Sequence, residues 1–481
     1  MKKILERLGA GMLAFCLVLL TAGCQSQAPS QAADKTPVAE ETKEKPEESS
    51  LDREEEEVSA EETETDSEIA EEEMTDSSNE KDIPVLSDCI GEKIGAFAGC
   101  AVTLFEISDP KVFDIMTTHF NAVTIGNELK PDCLFGYSNN ECPGTIQEEL
   151  DGKVISVPVM DYSRAEQILD KIYEWNSSNP DRFIKVRGHV LLWHSQTPEW
   201  FFHEDYDADM PYVDKDTMNV RLEWYIKTVL THFTGPDSKY KDMFYGWDVV
   251  NEAISDSTGT YRTDAEKPDE PLSNATHGSN SSWWHVYESN EFIINAFIFA
   301  NKYAPENLEL YYNDYNECDV KKRNGIIDLL EAVKAKEGAP GEGTRISGFG
   351  MQGHYMMDTP SSNEVEASIK AYSKVVDSVQ ITELDIRASQ EYDGTEETIE
   401  AENEKLRKRY NMLYFGIQAA QNTEGVNVTG ITWWGTVDHY SWLQTASFVG
   451  GGNTTNLPQC PLLFDSDYEP KPCFFVFAKE E

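Results

Sequence analysis

Eight short apolar runs recur between residues 83 and 481 with helical stretches between most of them, and no other feature restricts the fold as much. They lie at 94–102, 120–125, 184–189, 244–250, 308–312, 346–351, 379–383 and 429–434. Each is nearly continuous rather than alternating, as expected of a strand covered on both faces. The stretches between them carry apolar residues at helical spacing. In 163–175, Ile168, Leu169, Ile172 and Tyr173 share a face, and Ser163 with Glu166 is expected to form a capping box. In 217–233, Leu222, Tyr225, Ile226, Val229 and Leu230 form the side to be buried. Eight strands alternating with helices predict an α/β fold with a parallel sheet closed into a (β/α)8 TIM barrel. An open doubly wound sheet competes, but no Gly-rich phosphate loop follows any strand.

Polar and aromatic residues gather at the strand tails: Asn127, His189, Asn251 with Glu252, Asn313, Gln352 with His354, Glu383 and Trp434. In a barrel these tails open on one face, where active sites are built. Two carboxylates are the sharpest signal. Glu252 ends the fourth run and Glu383 the seventh, and a carboxylate following a buried strand is costly unless solvated, paired or used. Strands four and seven face each other across the barrel mouth, so the pair can flank a bound sugar. Glycosidic cleavage needs one carboxylic acid to protonate the leaving oxygen and one carboxylate to meet positive charge at the anomeric carbon. Glu252 sits among apolar and aromatic residues, which suits a raised pKa and the acid role. Glu383 has Asp385 two residues on and His354 on the adjacent strand, which suits an ionised nucleophile.

Five segments carry a family resemblance: Trp247-Asp-Val-Val-Asn-Glu252, Ile381-Thr-Glu-Leu-Asp385, Arg187-Gly-His-Val-Leu-Leu-Trp-His-Ser-Gln-Thr-Pro198, Tyr312-Asn-Asp-Tyr-Asn316 and Met351-Gln-Gly-His354. In this order, with Trp433-Trp-Gly435 and Pro461-Leu-Leu-Phe-Asp465, the chain resembles glycoside hydrolase family 10, the retaining endo-1,4-β-xylanases. The resemblance implies Glu252 as acid/base and Glu383 as nucleophile. It implies Asn251 on the 2-hydroxyl of the attacked sugar, and His354 with Asp385 supporting the nucleophile. His189, Trp193, Gln196, Gln352, Trp434 and Trp442 would line the sugar sites nearest the scissile bond, and flat rings suit pyranose faces. Asn127 and Lys130 would bind the neighbouring glycone sugar. There the family commonly reads Glu-Asn-Glu-x-Lys, and Gly126 stands in place of its first, sugar-binding Glu. Leu443 follows Trp442 where the family often has Arg.

The implied partner is xylan or a xylo-oligosaccharide, bound by a monomer without metal or cofactor. His189 and His194 suggest no third metal ligand. A β-1,4-glucanase of the same barrel clan and a non-catalytic xylan-binding lipoprotein are the alternatives. Two long segments, 131–158 and 254–283, are expected to overhang the cleft, as shapers of preference or as passive insertions.

Ahead of the barrel, Lys2, Lys3 and Arg7 precede an apolar run at 12–20 and then Thr21-Ala22-Gly23-Cys24. This resembles a bacterial lipoprotein signal over 1–23 with Cys24 lipidated, although Thr21 stands where the box usually has Leu. The run is too short to span a bilayer, so contact with a membrane is expected only through the lipid, on its outer face; plain secretion is the alternative. Residues 24–82 read as a disordered acidic linker, since 31–82 carries 22 acidic and 5 basic residues. With 87 Asp+Glu against 40 Lys+Arg overall, nucleic acid is excluded as a partner. Cys133 and Cys142 can pair across a loop, but the cysteine pattern indicates no disulfide scaffold.

Overall fold

The computed structural model describes residues 83–267, 270, 272, 278–445 and 458–478. The leader at 1–23, Cys24 and the acidic linker lie outside the described residues. The eight expected strands form one parallel sheet: β1 (Phe97–Val102), β2 (Ala122–Ile125), β3 (Lys185–Gly188), β4 (Phe244–Asn251), β5 (Glu309–Asp314), β6 (Gly348–Met351), β7 (Ser378–Ile386) and β8 (Val428–Trp433). Each pairs with the next, and β8 returns to β1 in the register Phe97↔Gly430 to Cys100↔Trp433, which closes the barrel. Two short extensions, Leu192–Trp193 on β4 and His354–Tyr355 on β7, lengthen the wall beyond the strand ends.

The barrel interior is not wholly apolar. Arg187 of β3 grips Asp248 of β4 through two hydrogen bonds, at 2.6 and 3.1 Å, and donates to Gln380 of β7 at 2.8 Å. Its guanidinium also lies 4.1 Å from the Tyr311 ring centroid on β5. Both charges are fully enclosed, so only this fork-on-carboxylate geometry offsets their desolvation.

The outer helices bury the faces that their spacing predicts, with local corrections. The first apolar run begins too early: Ile94 ends the helix Leu86–Ile94, which Gly95 stops at φ 71°. The helix Ser163–Ser178 buries Ile168, Leu169 and Ile172, whereas Tyr173 is exposed. Its expected capping box is absent. Tyr162 holds the cap position, Asp161 Oδ1 accepts from Ser163 N at 2.9 Å, and Glu166 turns away to His232 at 3.0 Å. The helix Lys215–Thr234 buries all five expected residues.

Segment 131–158 meets the mouth only at its start, where Gln196 Nε2 donates to Asp132 at 3.2 Å. It contains the short helix Pro131–Leu134 and an antiparallel hairpin, Thr145–Leu150 with Lys153–Pro158. The hairpin lies on the outer helical layer: Trp224 Nε1 donates to Glu148 at 2.8 Å, and Lys302 Nζ to Asp151 at 2.9 Å. Cys133 and Cys142 remain separate thiols; Cys142 donates to the Gly144 carbonyl at 3.5 Å.

Candidate active site

The polar tails converge at the C-terminal mouth of the barrel. Glu252 follows the last residue of β4 with φ 55°, its backbone N–H donating to Asn313 O on β5 at 2.9 Å. Its carboxylate accepts from Trp193 Nε1 at 2.8 Å, Gln352 Nε2 at 3.0 Å and Asn251 Nδ2 at 3.2 Å. Three donors would favour the ionised form, but burial outweighs them and raises the Glu252 pKa, with Asp314 adding repulsion.

Glu383 lies within β7 and is 4% exposed. Burial would raise its pKa too, yet its surroundings reverse the sign. His354 Nε2 lies 3.3 Å from Oε2, Asn313 Nδ2 donates to Oε1 at 2.7 Å, and His189 and His354 contribute positive potential. The Glu383 carboxyl is therefore held below its ordinary range. His354 is clasped on its other side by Asp385, with Nδ1 2.9 Å from Oδ1. Burial disfavours its charge, but the two carboxylates prevail and lift it to about 10, so it is an imidazolium at neutral pH.

The two glutamates share one network. Asn313 Nδ2 donates to Glu383 and, at 3.0 Å, to Asn251 Oδ1, while the Asn251 amide donates onward to Glu252. Gln352, directly after β6, bridges Asn251 and Glu252 through Nε2.

The remaining expected residues join the same mouth. Trp442 Nε1 donates to Asp385 at 2.8 Å, and the Trp434 ring packs edgewise against His189 and His354, 5.4 and 6.3 Å away. His189 Nδ1 lies 3.0 Å from Asp248, which ties the mouth to the Arg187 layer beneath. Lys130 Nζ donates to Asn127 and Gln196 at 3.0 Å each and sits 5.1 Å from the Trp193 ring. Leu443 is buried. All the expected site residues in the described part are thus brought together.

Three further residues belong to the site. Asn313 was visible as a polar strand tail, though not as the bridge between carboxylates. Asp248, inside an apolar run, carried no such signal. Arg262, in the segment after β4, donates from Nε to the Glu252 carbonyl at 2.9 Å and fixes the backbone of that residue. A carboxyl whose pKa burial raises and a carboxyl held below its ordinary range, in a cleft lined by tryptophans, can together protonate a leaving oxygen and stabilise an oxocarbenium-like centre.

Residues 86–480 match the family model described as "Glycosyl hydrolase family 10". The chain is 34% identical over 362 residues to "Bifunctional endo-1,4-beta-xylanase XylA" of Ruminococcus flavefaciens, covering 75% of this chain and 31% of that protein. It is 29% identical over 382 residues to "Endo-1,4-beta-xylanase B" of Butyrivibrio fibrisolvens, covering 79% and 51%. The chain therefore spans between about a third and a half of the length of these two relatives. Among solved structures, xylanase XynB from Paenibacillus barcinonensis, complexed with a conduramine derivative, superposes with a TM-score of 0.61 at 28% identity, covering 83% of this chain and all of that one. The CBM22-1–GH10 modules of a Clostridium thermocellum endo-1,4-beta-D-xylanase, complexed with xylohexaose, give a TM-score of 0.63 at 28% identity, covering 82% and 67%.

Proposed function

Because this chain belongs to glycosyl hydrolase family 10, we propose that it is a retaining endo-1,4-β-xylanase, with Glu252 as acid/base and Glu383 as nucleophile. The observation that carries this reading is the opposed electrostatics of two carboxylates joined through Asn251 and Asn313: burial pushes the Glu252 pKa up, while His354, His189 and Asn313 hold that of Glu383 down. The names of the relatives, and a xylohexaose complex of a similar structure, support xylan as the substrate class.

In the first step Glu252 protonates the glycosidic oxygen as Glu383 attacks the anomeric carbon, and the aglycone leaves. In the second, Glu252, now a carboxylate, takes a proton from water, which displaces Glu383 and restores the original configuration. His354 and Asn313 hold Glu383 ionised and aimed, and Asp385 holds His354. Asn251, bonded to Glu252 and linked to Glu383 through Asn313, binds the 2-hydroxyl, and Trp434 supplies a stacking face.

The test is cleavage of a defined xylo-oligosaccharide followed by NMR, beside reducing-sugar release from xylan and carboxymethylcellulose. The expected result is internal β-1,4 cleavage with retention, faster on xylan. Faster release from carboxymethylcellulose would overturn the substrate class, and inversion the mechanism. Glu252→Gln and Glu383→Gln should each lower kcat by at least about 10²-fold; wild-type xylan affinity in both, with no turnover by the parent, would make the protein a binder. We further propose that the chain acts as a monomer tethered by lipid on Cys24, supported by the leader sequence. Mass spectrometry of the mature N-terminus tests the tether, and light scattering the monomer.

A further inference from the structure

Phe105 is the most exposed large apolar side chain among the described residues, at 72%, and its helix follows the C-terminal end of β1, the end on which the site is built. It belongs to the short helix Leu104–Ile107, which begins two residues after β1, and Thr103 and Glu106 cap that helix reciprocally. The same helix is tied sideways to the loop carrying Asn127 and Lys130: Leu104 N donates to Glu128 Oε1 at 2.9 Å. On its other side the Tyr440 ring meets Phe105 edge-on at 5.5 Å. Tyr440 lies two residues before Trp442, whose indole holds Asp385.

These rings are held in place. Tyr440 OH and Tyr468 OH both donate to Asp109 Oδ2, at 3.1 and 2.7 Å, and His439 packs 4.0 Å from Tyr440. Asp438, at the root of the Tyr440 turn, is pinned by Lys471 Nζ at 2.7 Å and by Leu462 N at 2.8 Å. An exposed phenyl group on an anchored aromatic base costs solvation unless something covers it.

Gly126 bears on what covers it. A Cβ there would lie 3.6 Å from Thr103 Cγ2, two residues before Phe105. The position at which the family carries a sugar-binding carboxylate thus adjoins the segment that presents Phe105.

We propose that Phe105 and Tyr440 form a stacking site for a further glycone sugar, beyond the one held by Asn127 and Lys130, so that a longer stretch of β-1,4-linked chain is bound than the inner cleft alone accommodates. The occupant follows from position: the helix of Phe105 is bonded through Leu104 to Glu128, next to Asn127, and Phe105 packs on Tyr440, two residues before Trp442, so the ring pair stands between two segments that carry expected sugar-binding residues. Flat, anchored rings suit a pyranose face, which needs no charge for recognition.

The inference rests on the xylanase reading, and one experiment separates the two. The ratio of kcat/KM on xylohexaose to that on an aryl β-xylobioside is measured for the parent, Phe105→Ala, Phe105→Trp and Tyr440→Ala. Phe105→Ala and Tyr440→Ala should lower this ratio about 3- to 10-fold, and Phe105→Trp should keep it near the parent value. A ratio that Phe105→Ala leaves unmoved overturns the site and leaves the activity standing, including where only adsorption to insoluble xylan falls. A parent that cleaves neither substrate overturns the xylanase reading and this site with it.

Discussion

Glu252 and Glu383 sit in one network yet titrate in opposite directions, because the same burial meets different company. Around Glu383 the histidines and an amide reverse the desolvation cost; around Glu252 neutral donors and the Arg262 guanidinium do not, and Asp314 adds repulsion. The rate should therefore rise as Glu383 loses its proton below the ordinary carboxylate range, and fall as Glu252 loses its own above that range, giving a bell-shaped pH profile. His354→Gln removes the largest of the groups that hold Glu383 ionised and leaves burial opposed only by His189 and Asn313. Its expected effect is an acid limb of kcat/KM displaced to higher pH and a kcat at least about 10-fold lower. An acid limb that does not move would mean that His354 only packs. Both glutamates were legible in the sequence because a carboxylate after a buried strand needs a reason to be there. Arg187 and Asp248 were not, since inside an apolar run nothing separates a barrel-filling ion pair from an irregularity, and partners 61 residues apart meet only once the sheet forms. Arg262 was hidden for the same cause: its partner is a backbone carbonyl, which every residue offers.

Among elements, the strands were easier to read than their ends. Continuous apolar runs located all eight, but whether Ile94 closes a helix or opens a strand depends on the left-handed Gly95, and whether Ser163 caps a helix depends on where Glu166 finds its partner. The hairpin in 131–158 was illegible because its face rests on helices remote in sequence, as the contact between Glu148 and Trp224 shows. Register within the barrel is policed by bulk. Gly188 on β3 faces Trp247 on β4 so closely that a Cβ would lie 2.1 Å from the indole. Gly188→Ala must displace a fully buried ring next to Asp248 and four residues before Asn251. It should cost about 1–3 kcal/mol by denaturant unfolding and lower kcat as well, through the displaced β4 tail. An unchanged unfolding midpoint would contradict the close fit.

Across the whole molecule, buried carboxylates outside the cleft set how stability follows pH. Burial raises Glu106 and Glu317 from 4.5 to about 7 each, with Thr103 and Tyr355 hydrogen bonds opposing in part. The folded state keeps protons that the unfolded chain releases, so the stability these groups contribute is complete below about 4.5 and is lost as pH rises through about 7. His119, held neutral down to about 4 by its burial, acts in the opposite sense as pH falls from 6.5. Glu317→Gln should isolate one contribution: the Tm difference between variant and parent should grow in the variant's favour between about pH 5 and 7.5. A constant difference would show that Glu317 does not titrate in that window. The closure of β8 onto β1 carries a last consequence, for association rather than catalysis. A sheet bonded to itself all the way round presents no free row of peptide groups on which another chain could template, so the barrel strands are unavailable for edge-to-edge aggregation. Among the described residues that liability passes to the two-stranded hairpin, where Val154 is 70% and Ile146 45% exposed, and where Glu148 and Glu149 supply the charge that discourages a like strand from docking.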